Sequence, residues 1–461
     1  MNARPPIGAL GGHPRLPLPR LLQAVLTLFL PLSTLYSQAQ EPLRNLDPLV
    51  SEETIWETTP EAFEKKLGNA GLQWLDAEKS RVRFFGRGLR LFGGIVRPLE
   101  VNCDFKGGKL AATSVFFYNR GDSPAHPANQ AELERWVSAY RDLLTAQLGV
   151  KPIDRGKDAA SVVKANGWLW QRPPSLYVLE YSFEREVKAL EKPFSAEFIR
   201  LKVTPLPKRS FLSEYDRGTV HQPLTKASLV KNVATLPQGD VLLRNIPMVD
   251  QGPKGYCVVA TCERIFRYLG LEVDQHEMAA IAESSAQEGT DFYRMKEGLK
   301  RLTGRLKVHL RDLNPGNFEE FQKTILDYNR LSKRKKKREV NLPDSGVIRI
   351  EDLYASLDPE LLKESKTTLG KVAYSKFQRQ IAETIGRGVP VMWTVQLGLY
   401  PEPERTDQTR GGHMRLIIGY NPRTSEILYS DSWGAAHALK RMPMEEAFAM
   451  TTGMYFVEPN Q

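Results

Sequence analysis

Residues 250–270 read DQGPKGYCVVATCERIFRYLG, and they decide how the rest of the chain is understood. Asp250, Gly252, Pro253 and Gly255 are turn formers, and they lead directly into an apolar segment. Val258, Ile265, Phe266 and Leu269 fall on one helical face, and Gly270 supplies a stop. Cys257 therefore stands at the N-terminus of a predicted buried helix. Unpaired N–H groups and the helix dipole favour a thiolate there and can also hold an oxyanion. Gln251, six residues earlier across a Gly-Pro turn, is placed to aim its side-chain amide at the same spot. Cys262 points elsewhere on the helix and reads as core.

A nucleophilic thiol needs a base. Gly411-Gly412-His413-Met414-Arg415-Leu416-Ile417-Ile418-Gly419-Tyr420 sets a histidine at the start of an apolar strand. Asn421-Pro422 begins a turn, Ile427–Ser430 returns as the partner strand, and Asp431-Ser432-Trp433-Gly434 follows. Such a hairpin brings His413 and Asp431 together, so that a carboxylate fixes the imidazole tautomer and stabilises the imidazolium. Trp393–Leu397 reads as a further strand. His276, His309 and His437 lack partners at useful spacing and read as surface or polar-satisfied. No HExxH or paired CxxC occurs, so neither a metal nor a cofactor is expected.

Taken in order, these motifs resemble a papain-fold cysteine peptidase, most similar to the peptidase C39-like family. The resemblance covers residues from about 245 to 459. It implies Cys257 as nucleophile, His413 as general base and acid, Asp431 as its orienting partner, and Gln251 with the Cys257 N–H as oxyanion hole. Papain has Asn where this chain has Asp431, and its Gly-Ser-Cys-Trp surroundings are absent here. The segment from about 313 to 375 looks like an insertion. The implied substrate is a protein or peptide, and the implied reaction is amide hydrolysis through a thioacyl intermediate. The rival reading keeps the fold but makes the protein a non-catalytic binding or adhesion module.

Ahead of this half, residues 50 to about 205 predict an α+β unit in which an antiparallel sheet packs on one or two helices. Thr59-Pro60 opens a short helix through Leu67. Strands are expected over Arg81–Phe85, Arg97–Phe105 and Leu110–Tyr118, the last two joined across Gly107-Gly108. Leu133, Trp136, Val137, Tyr140, Leu143, Leu144 and Leu148 recur at helical spacing, with Gly149 as the stop. Asn166-Gly167 is a hairpin signal between Val162–Ala165 and Trp168–Gln171. Strands over Tyr177–Phe183 and Phe198–Val203 complete the unit, with Trp136, Trp168 and Trp170 in its core. Arg81, Arg83, Arg87, Arg90 and Arg97 read as a solvated strand face rather than a nucleic-acid surface. The fold class is α+β, a papain-like cysteine peptidase domain (231–461) preceded by a smaller α+β domain with linker (40–230).

The chain has 461 residues and a formal net charge of +10. Three of those charges, Arg4, Arg15 and Arg20, lie in a leader without acids, whose apolar core runs from Leu21 to Leu32. Ser37-Gln38-Ala39 is a cleavage site, so residues 1–39 read as a signal peptide and the mature protein as periplasmic or secreted. Six more form the block Lys333, Arg334, Lys335, Lys336, Lys337 and Arg338. It reads chiefly as a solvated insertion, with weak polyanion contact as its one functional option. The remainder is nearly neutral, which removes any specific nucleic-acid reading. Three cysteines exclude a disulfide scaffold and leave at least one free thiol. No long apolar run follows residue 40, which excludes a polytopic membrane protein. A monomer is expected.

Overall fold

The computed structural model describes residues 43–461 apart from 158–164, 187–192, 207–222, 253–254, 272, 274–277, 280–291, 343–349 and 403–409. The leader, its cleavage site, Pro253 and His276 lie outside the described residues. Leu43–Gln461 form one compact α+β unit, in which a distinct small domain ahead of residue 230 is not marked off. No described helix is long and apolar enough to cross a membrane.

Two eight-stranded sheets organise this unit. In spatial order the first runs Leu72–Trp74, Arg81–Phe85, Glu100–Lys106, Lys109–Asn119, Ser195–Pro205, Ser175–Glu184, Ala165–Arg172 and Ile153–Lys157, antiparallel throughout. Gly107 and Gly108 form the expected two-residue turn, with φ of 60° and 75° at the two glycines. Thr59 caps the helix Pro60–Leu67 by accepting the Ala62 N–H, which buries Phe63 and Leu67. The helix Gln130–Leu148 starts at Asn129, whose side chain accepts the Glu132 N–H, and ends at Gly149 in the left-handed region. Its Leu133, Val137, Leu144 and Leu148 face the sheet core, where Trp170 is fully buried. Trp136 and Trp168 pack against that core, partly buried.

Two expectations fail here. Asn166-Gly167 makes no turn: both residues lie inside the strand Ala165–Arg172, and the chain reverses instead at Pro173-Pro174. A Cβ on Gly167 would sit 2.2 Å from the Leu179 carbonyl, so this glycine permits close strand approach rather than a bend. Arg81 and Arg83 are buried, not solvated, at 6% and 2% exposure. They lie where the first sheet meets the segment around Cys257.

The second sheet runs Val233–Thr235, Val241–Leu243, Gly411–Asn421, Val391–Leu397, Thr451–Pro459 and Val308–Asn314. Glu426–Ser430 pairs with Gly411–Asn421 and with Lys440–Pro443. Both faces are covered, which explains why the central strands are largely apolar on both sides. Met392, Met414, Leu416 and Ile418 join the core under the helix Cys257–Tyr268. Val391, Trp393, Val395 and Ile417 join the core under the helices Lys371–Gly386 and Met444–Met450.

Between Val308–Asn314 and Lys371–Gly386 lies a helical lobe with its own core of Ile325, Tyr328, Leu331, Val340, Tyr354, Leu357, Leu361 and Leu362. Lys333 and Arg334 end the helix Phe318–Arg334, where cations offset the helix dipole. Lys335 pairs with Glu364 and Lys337 with Asp358, so the basic block is exposed but partly offset.

The meeting of the two sheets holds buried ion pairs beside a tightly packed ring. Arg81 pairs with Glu263 of the Cys257–Tyr268 helix and lies 3.3 Å from Asp104. Arg267 joins Glu263 at 2.7 Å and Asp104 at 3.4 Å. Arg83 donates to the Asp250 carbonyl at 3.4 Å while pairing with Glu100 at 2.9 Å. Gln73 donates to the Asp250 carboxylate at 2.9 Å. Tyr256 is fully buried, and a Cβ on Gly121 would fall 1.4 Å from its hydroxyl oxygen. Gly121→Ala is therefore expected to lose about 1–3 kcal/mol through overpacking against a rigid ring. Urea midpoints of the two proteins measure this, and equal midpoints would show that the ring moves aside freely.

Candidate active site

Cys257 is the first residue of the helix Cys257–Tyr268, preceded by a residue that offers no side-chain cap. It is partly exposed, whereas the residues that follow it are buried. Burial alone pushes its thiol up. The neighbouring His413 imidazolium and the Met414 backbone N–H outweigh burial, and the thiol falls below its ordinary value. Cys103 and Cys262 show the contrast: each is free and buried, and burial pushes both thiols up.

His413 lies on the strand Gly411–Asn421, opposite Val395. The return strand puts Ser430 opposite Leu416, and Asp431 follows directly. His413 Nε2 is 2.6 Å from Asp431 Oδ1, with both side chains fully buried. Its Nδ1 has no fully formed hydrogen bond, yet the Cys257 thiol lies within interaction range of the ring. Burial disfavours the imidazolium, but the Asp431 carboxylate and the Cys257 thiolate overcome it and raise His413 to about 9. Trp433 stacks flat on the imidazole, with centroids 4.3 Å apart and planes 3° from parallel. This ring excludes water from one side of the His413–Asp431 contact.

Gln251 enters from the other side. Its backbone N–H donates to the Ser432 carbonyl at 2.8 Å, and its side-chain oxygen accepts the Ser432 hydroxyl at 2.7 Å. With the oxygen so engaged, the amide nitrogen is turned away from Ser432. The four residues singled out in the sequence thus share one neighbourhood, linked through Asp431-Ser432.

Three further charged residues belong to it. Arg415 Nε donates to Asp431 Oδ2 at 2.7 Å, and its two terminal nitrogens grip Glu402 at 2.9 Å each. Arg264 donates to the Asp431 carbonyl at 3.0 Å, to the Pro247 carbonyl at 2.8 Å and to the Ser430 hydroxyl. Burial opposes ionisation of Asp431, but His413 and Arg415 hold its carboxyl far below the usual range. Burial lowers Arg264 to about 10. The signal for Arg415 was available: one charge inside the apolar run from Met414 to Tyr420. His437 also belongs here, since its carbonyl accepts the Asp431 N–H at 2.9 Å and its ring meets the Trp433 ring edge to face. His309 is exposed on its strand. Among the described residues no group of three His, Cys, Asp or Glu side chains is placed to hold a metal ion.

Comparison with known proteins bears on the C-terminal half. Residues 347–454 match the Peptidase_C39 like family. The matched stretch contains His413, Arg415 and Asp431, while Gln251 and Cys257 lie upstream of it. Among solved structures the chain is similar to xylellain, a cysteine protease from Xylella fastidiosa. The two are 11% identical, the alignment covers 56% of this chain and 95% of that one, and the TM-score is 0.24. No curated protein matches the chain. The family-level resemblance is carried by the C-terminal region.

Proposed function

We propose that residues 231–461 form a papain-like cysteine hydrolase that cleaves peptide bonds, with Cys257, His413 and Asp431 as its catalytic residues. The observation that carries this reading is the buried 2.6 Å contact between His413 Nε2 and Asp431 beside a thiol whose ionisation the imidazolium favours. Asp431 takes one ring nitrogen, which leaves the other for the thiol. The thiolate attacks the amide carbonyl, and the carbonyl π electrons move to oxygen. The Cys257 N–H and the Gln251 amide stabilise that oxyanion. His413 then passes its proton to the leaving amine, and the C–N bond breaks to give a thioester. Neutral His413 next takes a proton from water, whose oxygen attacks the thioester and releases the acid and the thiolate.

In this reading residues 40–230 precede the peptidase half as an α+β domain and linker, after an exported leader is removed near Ala39. The protein acts outside the cytosol as a monomer on a protein or peptide. The block from Lys333 to Arg338 makes weak polyanion contact at most.

The pair titrations set the pH window. The ion pair forms above the lowered thiol value and persists until His413 loses its proton at about 9. Cys257 should therefore react with iodoacetamide at pH 5–6 at least about tenfold faster than free cysteine. Mass mapping of residues 40–461 after timed alkylation reads this directly. Reactivity no greater than free cysteine, unchanged by His413→Ala, would leave the non-catalytic binding module as the better account.

A further inference from the structure

We propose that Arg415, clamped between Asp431 and Glu402, is a positioning residue that sets the pH window of the Cys257–His413 pair. The proposal rests on the active-site reading above and asks what an aspartate, rather than a neutral amide, requires behind the histidine. An ionised carboxylate 2.6 Å from the ring binds the imidazolium proton tightly. Left uncancelled, it would hold that proton too strongly for transfer to a leaving amine, because general acids work best near the operating pH.

Arg415 supplies the cancellation. Its guanidinium is 1% exposed, meets Asp431 on one edge and grips Glu402 with two parallel bonds on the other. It stacks over the Tyr429 ring at 4.9 Å, and the Tyr429 hydroxyl donates to the same Glu402 carboxylate at 2.9 Å. None of these contacts leaves a face of Arg415 toward a substrate, so it acts through Asp431.

The charges that bear on His413 come from every neighbouring element. Cys257 approaches from its helix, Asp431 from the end of the return strand, and Arg415 from two residues along the same strand. Arg264 approaches from the Cys257 helix through the Asp431 carbonyl, and Glu402 through Arg415. The His437 ring meets the Trp433 ring that covers His413 edge to face. Two carboxylates and two guanidiniums therefore offset one another around the pair. Changing either outer charge must move the His413 titration, and the two changes must move it in opposite directions.

The test measures Cys257 alkylation by iodoacetate from pH 4 to pH 11. Iodoacetate is an anion, so its rate falls when the imidazolium deprotonates, and the alkaline limb reports His413. In Arg415→Met the limb should rise by about one pH unit, because Asp431 and Glu402 are left uncancelled. In Glu402→Gln, which keeps most of the hydrogen bonding, it should fall by several tenths or more. Arg415→Lys retains the charge and should restore the limb to within about half a unit of the parent. A merely structural Arg415 would reduce stability without moving the limb. Limbs unmoved in both Glu402→Gln and Arg415→Met, or moved the same way, would overturn the proposal. If Arg415→Met fails to fold, an unmoved Glu402→Gln limb overturns it alone. A parent protein whose Cys257 shows no enhanced reactivity and no alkaline limb would instead sink the active-site reading, and this proposal with it.

Discussion

Cys257→Ala is expected to abolish amide cleavage while leaving the protein folded. In the proposed mechanism the Cys257 sulfur carries the acyl group, so turnover should fall by about 10⁵-fold or more. Alanine suits the first turn of the helix Cys257–Tyr268, and the partly exposed side chain at this position leaves no buried cavity. His413→Ala should cost nearly as much, and the double variant little more than either, because the two groups act as a unit. A peptide pool incubated with each purified variant, followed by mass spectrometry, gives the comparison. Cleavage by Cys257→Ala at more than a few per cent of the parent rate would show that another group is the nucleophile.

The second large effect belongs to Asp431→Ala, which should destabilise the protein by about 3–5 kcal/mol at neutral pH. His413 Nε2, Arg415 Nε and the Ser432 N–H, all buried, lose their acceptor at once. Arg415 keeps Glu402, so the cost is that of a broken buried network rather than of an isolated cation. Asp431→Asn retains a carbonyl for the imidazole and should recover part of the loss, though not the ion pair with Arg415. The sign of the pH dependence follows from the depressed Asp431 titration. Its stabilisation is present above the ordinary carboxylate value near 4 and is lost as pH falls toward its native value. The gap between parent and Asp431→Ala should thus narrow in acid. Urea denaturation at pH 7 and pH 3 measures both, and coincident curves at pH 7 would contradict it.

Which parts of this were readable from residues alone follows from the range of the interactions involved. The helix at Cys257, the strand at His413 and the return to Asp431 rest on local turn chemistry and periodicity, which a linear pattern records. The Gly107-Gly108 hairpin and the Asn129 cap are of the same kind. Asn166-Gly167 carried the right letters for a turn, but its glycine answers to Leu179 on the next strand. Arg81 and Arg83 looked solvated because the segment that covers them, with Glu263 and Asp250, lies 182 and 167 residues away, while Asp104 and Glu100 nearby gave no sign of burial. Arg415 is different: Glu402 and Asp431 are only 13 and 16 residues distant, but the apolar run around it marks a buried strand whatever single charge it contains. In the basic block, the signs were legible and the offsetting Asp358 and Glu364 were not.

The ion pairs where the two sheets meet also bear on the order in which the chain is made. The first sheet emerges well before the Cys257 helix exists, and it carries its own counter-ions: Glu100 for Arg83 and Asp104 for Arg81. The helix arrives with Arg267 already placed one turn from Glu263. Neither half needs to wait with a bare buried charge, so each can collapse as it is synthesised. Their union then adds Arg81 to Glu263 and Arg267 to Asp104. The turn before Cys257 is tied to the first sheet through Asp250, which Gln73 and Arg83 reach only when both halves are present.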